Sequence, residues 1–220
     1  MMRPMGLPAN QIYSVKSLAA FYGLRPHRLS EVARWAQHRH KSTTELRLPW
    51  WNYAAIEAVR TALPSHAKVF EYGGDGSTLW LHDLGADLTS VEHDPSWYDV
   101  LRGTLPAECT LIHEAAARTG TICSQSTPGL FYDDYVHAID GIEDGTLDLV
   151  IVDGRARVEC VKAARSKLAA GGLILLDDSD RSQYSRAATL LADWSRSDYR
   201  GAKPGGGGVV QTTVWRRDRA

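Results

Sequence analysis

From residue 68 onward the chain alternates short apolar runs with stretches of helical periodicity, and this alternation is what most limits its fold. Apolar runs at 69–72, 88–92, 110–113, 147–152 and 173–176 are separated by helical patterns that start at Ser77 and Pro95 and span 158–169. A strand that is apolar on both sides must be covered on both sides, and strands spaced by helices reach that state as a parallel sheet with crossover helices. The pattern predicts a doubly wound α/β fold. A further helix over 180–194 leads to two β-like runs, 199–203 and 209–215, joined by Pro204 and four glycines. A hairpin there adds an antiparallel edge to a mostly parallel sheet. The glycine run 205–208 reads as a mobile loop.

Upstream, residues 1–11 lack periodicity and read as a tail, while 12–22, 29–38 and 49–63 read as amphipathic helices, the last with Pro49 in its first turn. The division is a tail and helical cap segment over 1–64 and a ligand-binding domain over 65–220. No apolar run approaches the roughly 20 residues of a membrane helix, and the first residues lack the apolar core of a secretory signal. Three cysteines, Cys109, Cys123 and Cys160, form no C-x-x-C pair, so a cytoplasmic location with reduced thiols is expected. A net charge of -1 gives no bulk attraction to nucleic acid or membrane. The stretch 25–47 is locally basic and leaves an RNA or protein acceptor open, although a solvated helical face explains it as well. His66, His82, His113 and His137 have no mutual ligand spacing.

The first strand runs into Glu71-Tyr72-Gly73-Gly74-Asp75-Gly76-Ser77-Thr78 and then a helix. Glycines let such a turn approach a ligand closely, and the helix start offers free N–H groups. About 20 residues on, Glu92 ends the second strand, where an acidic side chain can accept ribose hydroxyls. No glycine completes the G-x-G-x-x-G pattern, and the acidic Glu71 favours an amino-bearing ligand over a diphosphate. An NAD(P)-dependent oxidoreductase is therefore the weaker alternative, beside a non-catalytic nucleoside- or RNA-binding module.

Asp153 ends the fourth strand, before Gly154, Arg155 and Arg157, and Asp177-Asp178 end the fifth. Strand ends of an open parallel sheet share one crevice, so the three carboxylates should meet there. They suit a divalent cation such as Mg²⁺. Without one, Asp153 is the candidate general base. Alternatively, Asp178 to Asp180 cap the next helix and Asp153 pairs with Arg155 or Arg157. Arg155, Arg157 and Arg181 are candidates for binding an acidic substrate group. Tyr184 lies three positions after Arg181 on the expected helix and should point into the same cleft. Trp50, Trp51 and Tyr53 form an aromatic lid or pack in the core.

Glu71 to Thr78, followed by Val91-Glu92-His93-Asp94, resembles motifs I and II of the class I S-adenosylmethionine-dependent methyltransferases, and the order of elements from 68 to 215 matches their seven-stranded, Rossmann-like architecture. The resemblance implies S-adenosylmethionine (SAM) as cofactor, with the turn Glu71, Tyr72, Gly73, Gly74, Asp75, Gly76, Ser77, Thr78 around its methionine part. It places Glu92 at the ribose and His93 beside the adenine, with Asp153 also at the cofactor. Asp153, Asp177 and Asp178 resemble the magnesium-holding residues of metal-dependent O-methyltransferases. Asp153-Gly154-Arg155-Ala156 departs from the Asn/Asp-Pro-Pro-aromatic motif of nitrogen-methylating enzymes. The expectation is O-methylation of a small hydroxylated substrate, with Asp153, Asp177, Arg155 and Tyr184 at the chemistry, and a homo-oligomer is compatible with it.

Overall fold

Seven strands form a single sheet: β1 (Lys68–Tyr72), β2 (Asp87–Glu92), β3 (Thr110–His113), β4 (Leu147–Val152), β5 (Leu168–Leu176), β6 (Ser195–Gly201) and β7 (Val210–Arg216). The computed structural model describes residues 15–107 and 109–218, so the expected tail lies outside the described residues, as does the start of the helix expected over 12–22. The strand order is β3-β2-β1-β4-β5-β7-β6. β1 to β5 pair in parallel, and β7 is antiparallel to both β5 and β6. The chain moves outward from β1 through β2 to β3, then returns to β4 on the other side of β1. That reversal makes the carboxyl ends of β1 and β4 the crevice where such sheets bind ligands.

Alternation along the strands fills two cores. Phe70, Tyr72, Val150, Val152, Ile174 and Leu176 face one side, under α7 (Asp133–His137), α8 (Arg157–Ala164) and α9 (Ser185–Leu190). Val69, Leu149, Ile151, Leu173 and Leu175 face the other, packed with Trp51, Ile56 and Val59. Leu18 of α1 (Val15–Gly23) joins this second core, so the N-terminal helices are bound by apolar burial of roughly 1.5–3 kcal/mol per large side chain.

α2 (Leu29–His38) matches its expected span, and α6 (Pro95–Thr104) starts at the expected proline, with Asp94 accepting a hydrogen bond from Trp97 N at 3.0 Å as its cap. Other boundaries moved for identifiable reasons. α4 (Tyr53–Ala62) begins four residues after Pro49 because Asn52 caps it, accepting from Ala55 N at 3.0 Å. α8 ends at Ala164 because the chain enters β5 at Leu168. The helix expected over 180–194 is a short 3-10 turn, Ser182–Tyr184, followed by α9. Asp178 at φ 50 and extended Arg181 keep the chain out of a helix until Ser182. α3 (Thr43–Leu46), which escaped the periodicity reading, is set by a capping box between Ser42 and Glu45.

The glycine run 205–208 is docked. Gly205, Gly206 and Gly207 all have positive φ, which winds the loop beneath α2, where Trp35 Nε1 donates to Gly207 O at 3.2 Å. Among the described residues no helix is long and apolar enough to cross a membrane.

Candidate active site

The chain leaves β1 through Gly73-Gly74-Asp75 and enters α5 (Gly76–Asp83). Gly73 has φ +89, and a Cβ there would lie 2.8 Å from backbone atoms of Gly154. The β1 turn and the end of β4 thus touch backbone to backbone, which only paired glycines allow. Trp97 Nε1 donates to Gly74 O at 2.7 Å and fixes the turn from the β2 side.

Glu71 lies beneath this turn. It is fully buried and accepts hydrogen bonds from Ser77, from Thr78 at 2.6 Å and from Ser90 at 2.9 Å. Tyr72 is equally buried, its hydroxyl donating to Val136 O at 2.7 Å. Gly76 abuts the backbone of Thr43 and Leu48. Glu71, Tyr72, Gly76, Ser77 and Thr78 therefore shape the turn from below, and Glu71, expected to meet a ligand, instead faces three hydroxyls beneath the turn and does not line the cleft. Only Gly73, Gly74 and Asp75 of the motif line the cleft.

Burial pushes the Glu71 carboxyl up to about 7, against the hydrogen bonds from Ser77, Thr78 and Ser90. An unfolded glutamate releases its proton near 4.5, so the folded chain binds the extra proton between about 4.5 and 7. Stability contributed by the group is full below that window and is lost as pH rises through it, at up to about 1.4 kcal/mol per pH unit. Glu71→Gln keeps the shape without the titration. Urea denaturation should show the wild type losing roughly 2–3 kcal/mol more than this variant between pH 5 and pH 8; parallel pH profiles would refute the assignment.

At the end of β2, Glu92 is 3 % exposed, and its Oε1 accepts from His93 N and Asp94 N, both at 2.8 Å. Its other oxygen has no protein donor among the described residues. His93 Nδ1 also lies 2.8 Å from Oε1 but out of line for a hydrogen bond, and is buried without a partner. Asp75 faces the same cavity and accepts from Thr43 Oγ1 at 2.5 Å. Burial raises its carboxyl against that hydrogen bond.

On the far side of the turn, Asp153 follows β4 and Asp177-Asp178 follow β5. Arg157 ties these ends together: Nε donates to Gly154 O at 3.0 Å, Nη1 to Asp177 O at 2.7 Å and Nη2 to Asp153 O at 2.8 Å. It also pairs with Asp153 Oδ1 at 2.9 Å, and Asp178 Oδ2 stands 3.8 Å away. Burial lifts the Asp153 carboxyl to about 6, opposed chiefly by Arg157. Burial, reinforced by the charges of Asp153 and Asp178, holds Asp177 well above the carboxylate range. Asp177 Oδ1 accepts from Thr212 Oγ1 at 2.5 Å, and Thr212 in turn accepts from Asn52 Nδ2 at 3.0 Å. Asp178 pairs with Arg181 at 2.6 Å.

Asp75, Glu92, Asp153, Asp177 and Asp178 open into one cleft of about 680 Å³ that is also lined by Trp97, Gly73, Trp50, Lys203, Gly205 and residues 39–43. That volume accommodates a cofactor-sized ligand. The sequence reading missed Lys203 and Gly154. Lys203 sits between two strands of a hairpin, where no local pattern marks a buried cation, whereas Gly154 was visible beside Asp153 but its contact with Gly73 is non-local.

Solved methyltransferases share this architecture. An O-methyltransferase from Bacillus cereus, in complex with S-adenosylhomocysteine (SAH), matches 93% of this chain and 100% of its own at 12% identity and a TM-score of 0.56. TomG from Streptomyces achromogenes, an O-methyltransferase involved in tomaymycin synthesis and solved with SAM, matches 96% of this chain and 100% of its own at 14% identity and a TM-score of 0.53. A methyltransferase-like protein from Silicibacter pomeroyi is 28% identical over 76% of this chain and 88% of its own, with a TM-score of 0.48. No family model and no curated relative matches the sequence. This is the SAM-dependent methyltransferase fold.

Within the methyltransferase fold, the cleft fits SAM on its own chemistry: Glu92 keeps an acceptor for ribose hydroxyls, the Gly73–Gly154 contact leaves the turn open to close approach, and Asp75 offers a carboxylate to an ammonium group. It does not fit Mg²⁺. Asp153, Asp177 and Asp178 do share the cleft, but each is turned to its own partner, Arg157, Thr212 and Arg181, and among the described residues no three His, Cys, Asp or Glu side chains converge on a common point. The expectation for Tyr184 is also corrected. With the helix broken at the 3-10 turn, Tyr184 stacks beside Arg157, its ring centroid 5.2 Å from the guanidinium carbon, and lines a separate recess with Cys123 and Glu159. Arg155 remains in the cleft with its Nε buried and unpartnered, whereas Arg157 is committed to the backbone.

Of the aromatic trio, Trp51 and Tyr53 are core residues and only Trp50 lines the cleft. The basic stretch is largely engaged within the protein: Arg28 grips Glu31, Arg47 grips Asp83, and Arg25, Arg34 and Arg39 cover Phe21, Tyr53 and Trp35.

Proposed function

We propose that this protein is a SAM-dependent methyltransferase that methylates a hydroxyl of a small molecule, with Asp153 as general base. The observation that carries this reading is that the unpartnered carboxylate oxygen of Glu92 and the glycine turn open into the same cleft as Asp153. SAM supplies, when bound, a methyl group made electrophilic by its sulfonium. The work left to the chain is alignment and proton removal. Glu92 holds the ribose hydroxyls, Gly73 and Gly74 admit the amino-acid tail, and Asp75 faces its ammonium. Asp153, whose Oδ1 is anchored on Arg157, takes the acceptor proton, and Arg155 orients the acceptor. Asp177, whose carboxyl burial raises, is fixed by Thr212 beside the acceptor. The segment 39–43 lines the cleft beside Trp50 and Gly205.

Calorimetry with SAM and SAH, with NADH as control, tests the reading. Glu92→Gln keeps the acceptor for the His93 and Asp94 amides but replaces the outward oxygen by an amide donor. SAH affinity should fall by about 1.5–3 kcal/mol, or roughly 10- to 150-fold, with an unchanged melting temperature. Tight NADH binding without SAH binding would instead support the oxidoreductase alternative.

A further inference from the structure

Lys203 is a cleft cation with no anionic partner among the described residues. It follows β6 and is 3 % exposed. Its ammonium stands 3.8 Å from the centroid of the Trp50 ring and forms no ion pair or hydrogen bond among the described residues. The stem of the side chain is buried and its head lies against the Trp50 face, so the ammonium reaches the cleft without an anionic partner among the described residues. The carboxylates that feel its field are otherwise engaged: Asp153 by Arg157, Asp177 by Thr212 and Asp75 by Thr43. Burial raises all three of these carboxyls, and Lys203 pulls against that rise without coming within ion-pair distance of any of them.

A second cation has the same character. Arg155 opens into the cleft with its Nε buried and unpartnered. With Arg157 and Arg181 already matched to Asp153 and Asp178, Lys203 and Arg155 are left as cleft cations without an ion pair among the described residues. The strand order places Lys203 away from the ribose end, since β1, β4, β5 and β7 all intervene between β2, which ends in Glu92, and β6, which leads to Lys203.

We infer that Lys203 and Arg155 form an anion subsite for the methyl acceptor, so that the acceptor is a hydroxy acid bound through its carboxylate, with its hydroxyl presented to Asp153. The inference rests on the methyltransferase reading for the word acceptor, while the anion subsite stands on the geometry alone. A carboxylate suits the site better than a phosphate dianion, whose second charge would face Asp153 and Asp178. The Trp50 face holds the Lys203 ammonium in place before the ligand arrives, which limits the ordering needed on binding.

Calorimetry on the full chain, with and without saturating SAH, tests this with two matched pairs: salicylate against salicylamide and mandelate against mandelamide. At least one acid should bind roughly tenfold tighter than its amide. That preference should fall to within about twofold in Lys203→Met and persist in Lys203→Arg, with SAH affinity unchanged in both. Acids that bind no tighter than amides, or a preference that survives in Lys203→Met, would overturn the subsite. So would a tenfold loss of SAH affinity in Lys203→Met with 5′-methylthioadenosine binding unaltered, because Lys203 would then serve the cofactor's own carboxylate. A Lys203-dependent preference in a protein that binds no SAH would keep the anion subsite and overturn the methyltransferase reading instead.

Discussion

Replacing Asp153 by Asn is expected to lower kcat for methyl transfer by about 10²- to 10⁴-fold, the span typical for loss of a positioned general base, while SAH affinity stays within about threefold. The variant keeps an oxygen for Arg157 and nearly the same volume, so the loss reports the missing base rather than a collapsed site. The pH profile makes the test sharper. Burial raises the Asp153 carboxyl to about 6, so the free enzyme holds a protonated, inactive carboxyl below that pH and an active carboxylate above it. Wild-type kcat/KM should therefore rise about tenfold per pH unit toward 6 and level off beyond it, whereas the residual rate of Asp153→Asn should be flat from pH 5 to 8. A variant within a few fold of wild type, or one that keeps the acidic limb, would remove Asp153 from the base role.

The sheet was legible because its signal is redundant. Each parallel strand must be apolar on both faces, so runs such as 147–152 declare themselves without reference to neighbours. Motif positions near strand ends were legible for the same reason: Glu92 ends β2 and Asp153 directly follows β4. Which way a side chain faces was not. Glu71 reads as a ligand group in sequence, yet Ser77, Thr78 and Ser90 draw it inward, and one of those three donors comes from the neighbouring strand. The metal expectation failed similarly, since proximity of three aspartates was foreseeable but their capture by Arg157, Thr212 and Arg181 depends on β7 and on a helix shorter than its periodicity. Tyr184 turned away because the left-handed Asp178 and extended Arg181 broke the helix that would have aligned it with the cleft. Lys203 was invisible because a buried cation has no periodicity.

Arg157→Met should be the most destabilising single change at the site. The side chain is 6 % exposed, and its fork satisfies the carbonyls of Asp153, Gly154 and Asp177 while neutralising the Asp153 carboxylate. Methionine fills the space and leaves those groups buried without a donor, a loss of about 3–5 kcal/mol for breaking a buried pair from one side. At roughly 2–4 °C per kcal/mol for a chain of this size, the melting temperature should drop by about 6–20 °C. Arg157→Lys restores the charge but cannot reach three carbonyls in one plane, and should recover only part of the loss. The two variants separate stability from chemistry. Arg157 is the main charge opposing the rise of the Asp153 carboxyl, so in whatever fraction of Arg157→Met folds, the acidic limb of kcat/KM should move to higher pH, while Arg157→Lys holds it near the wild-type position. A melting temperature within about 2 °C of wild type for Arg157→Met would mean that the ends of β4 and β5 are held together by the sheet alone, and that the shared position of Asp153 and Asp177 does not depend on this arginine.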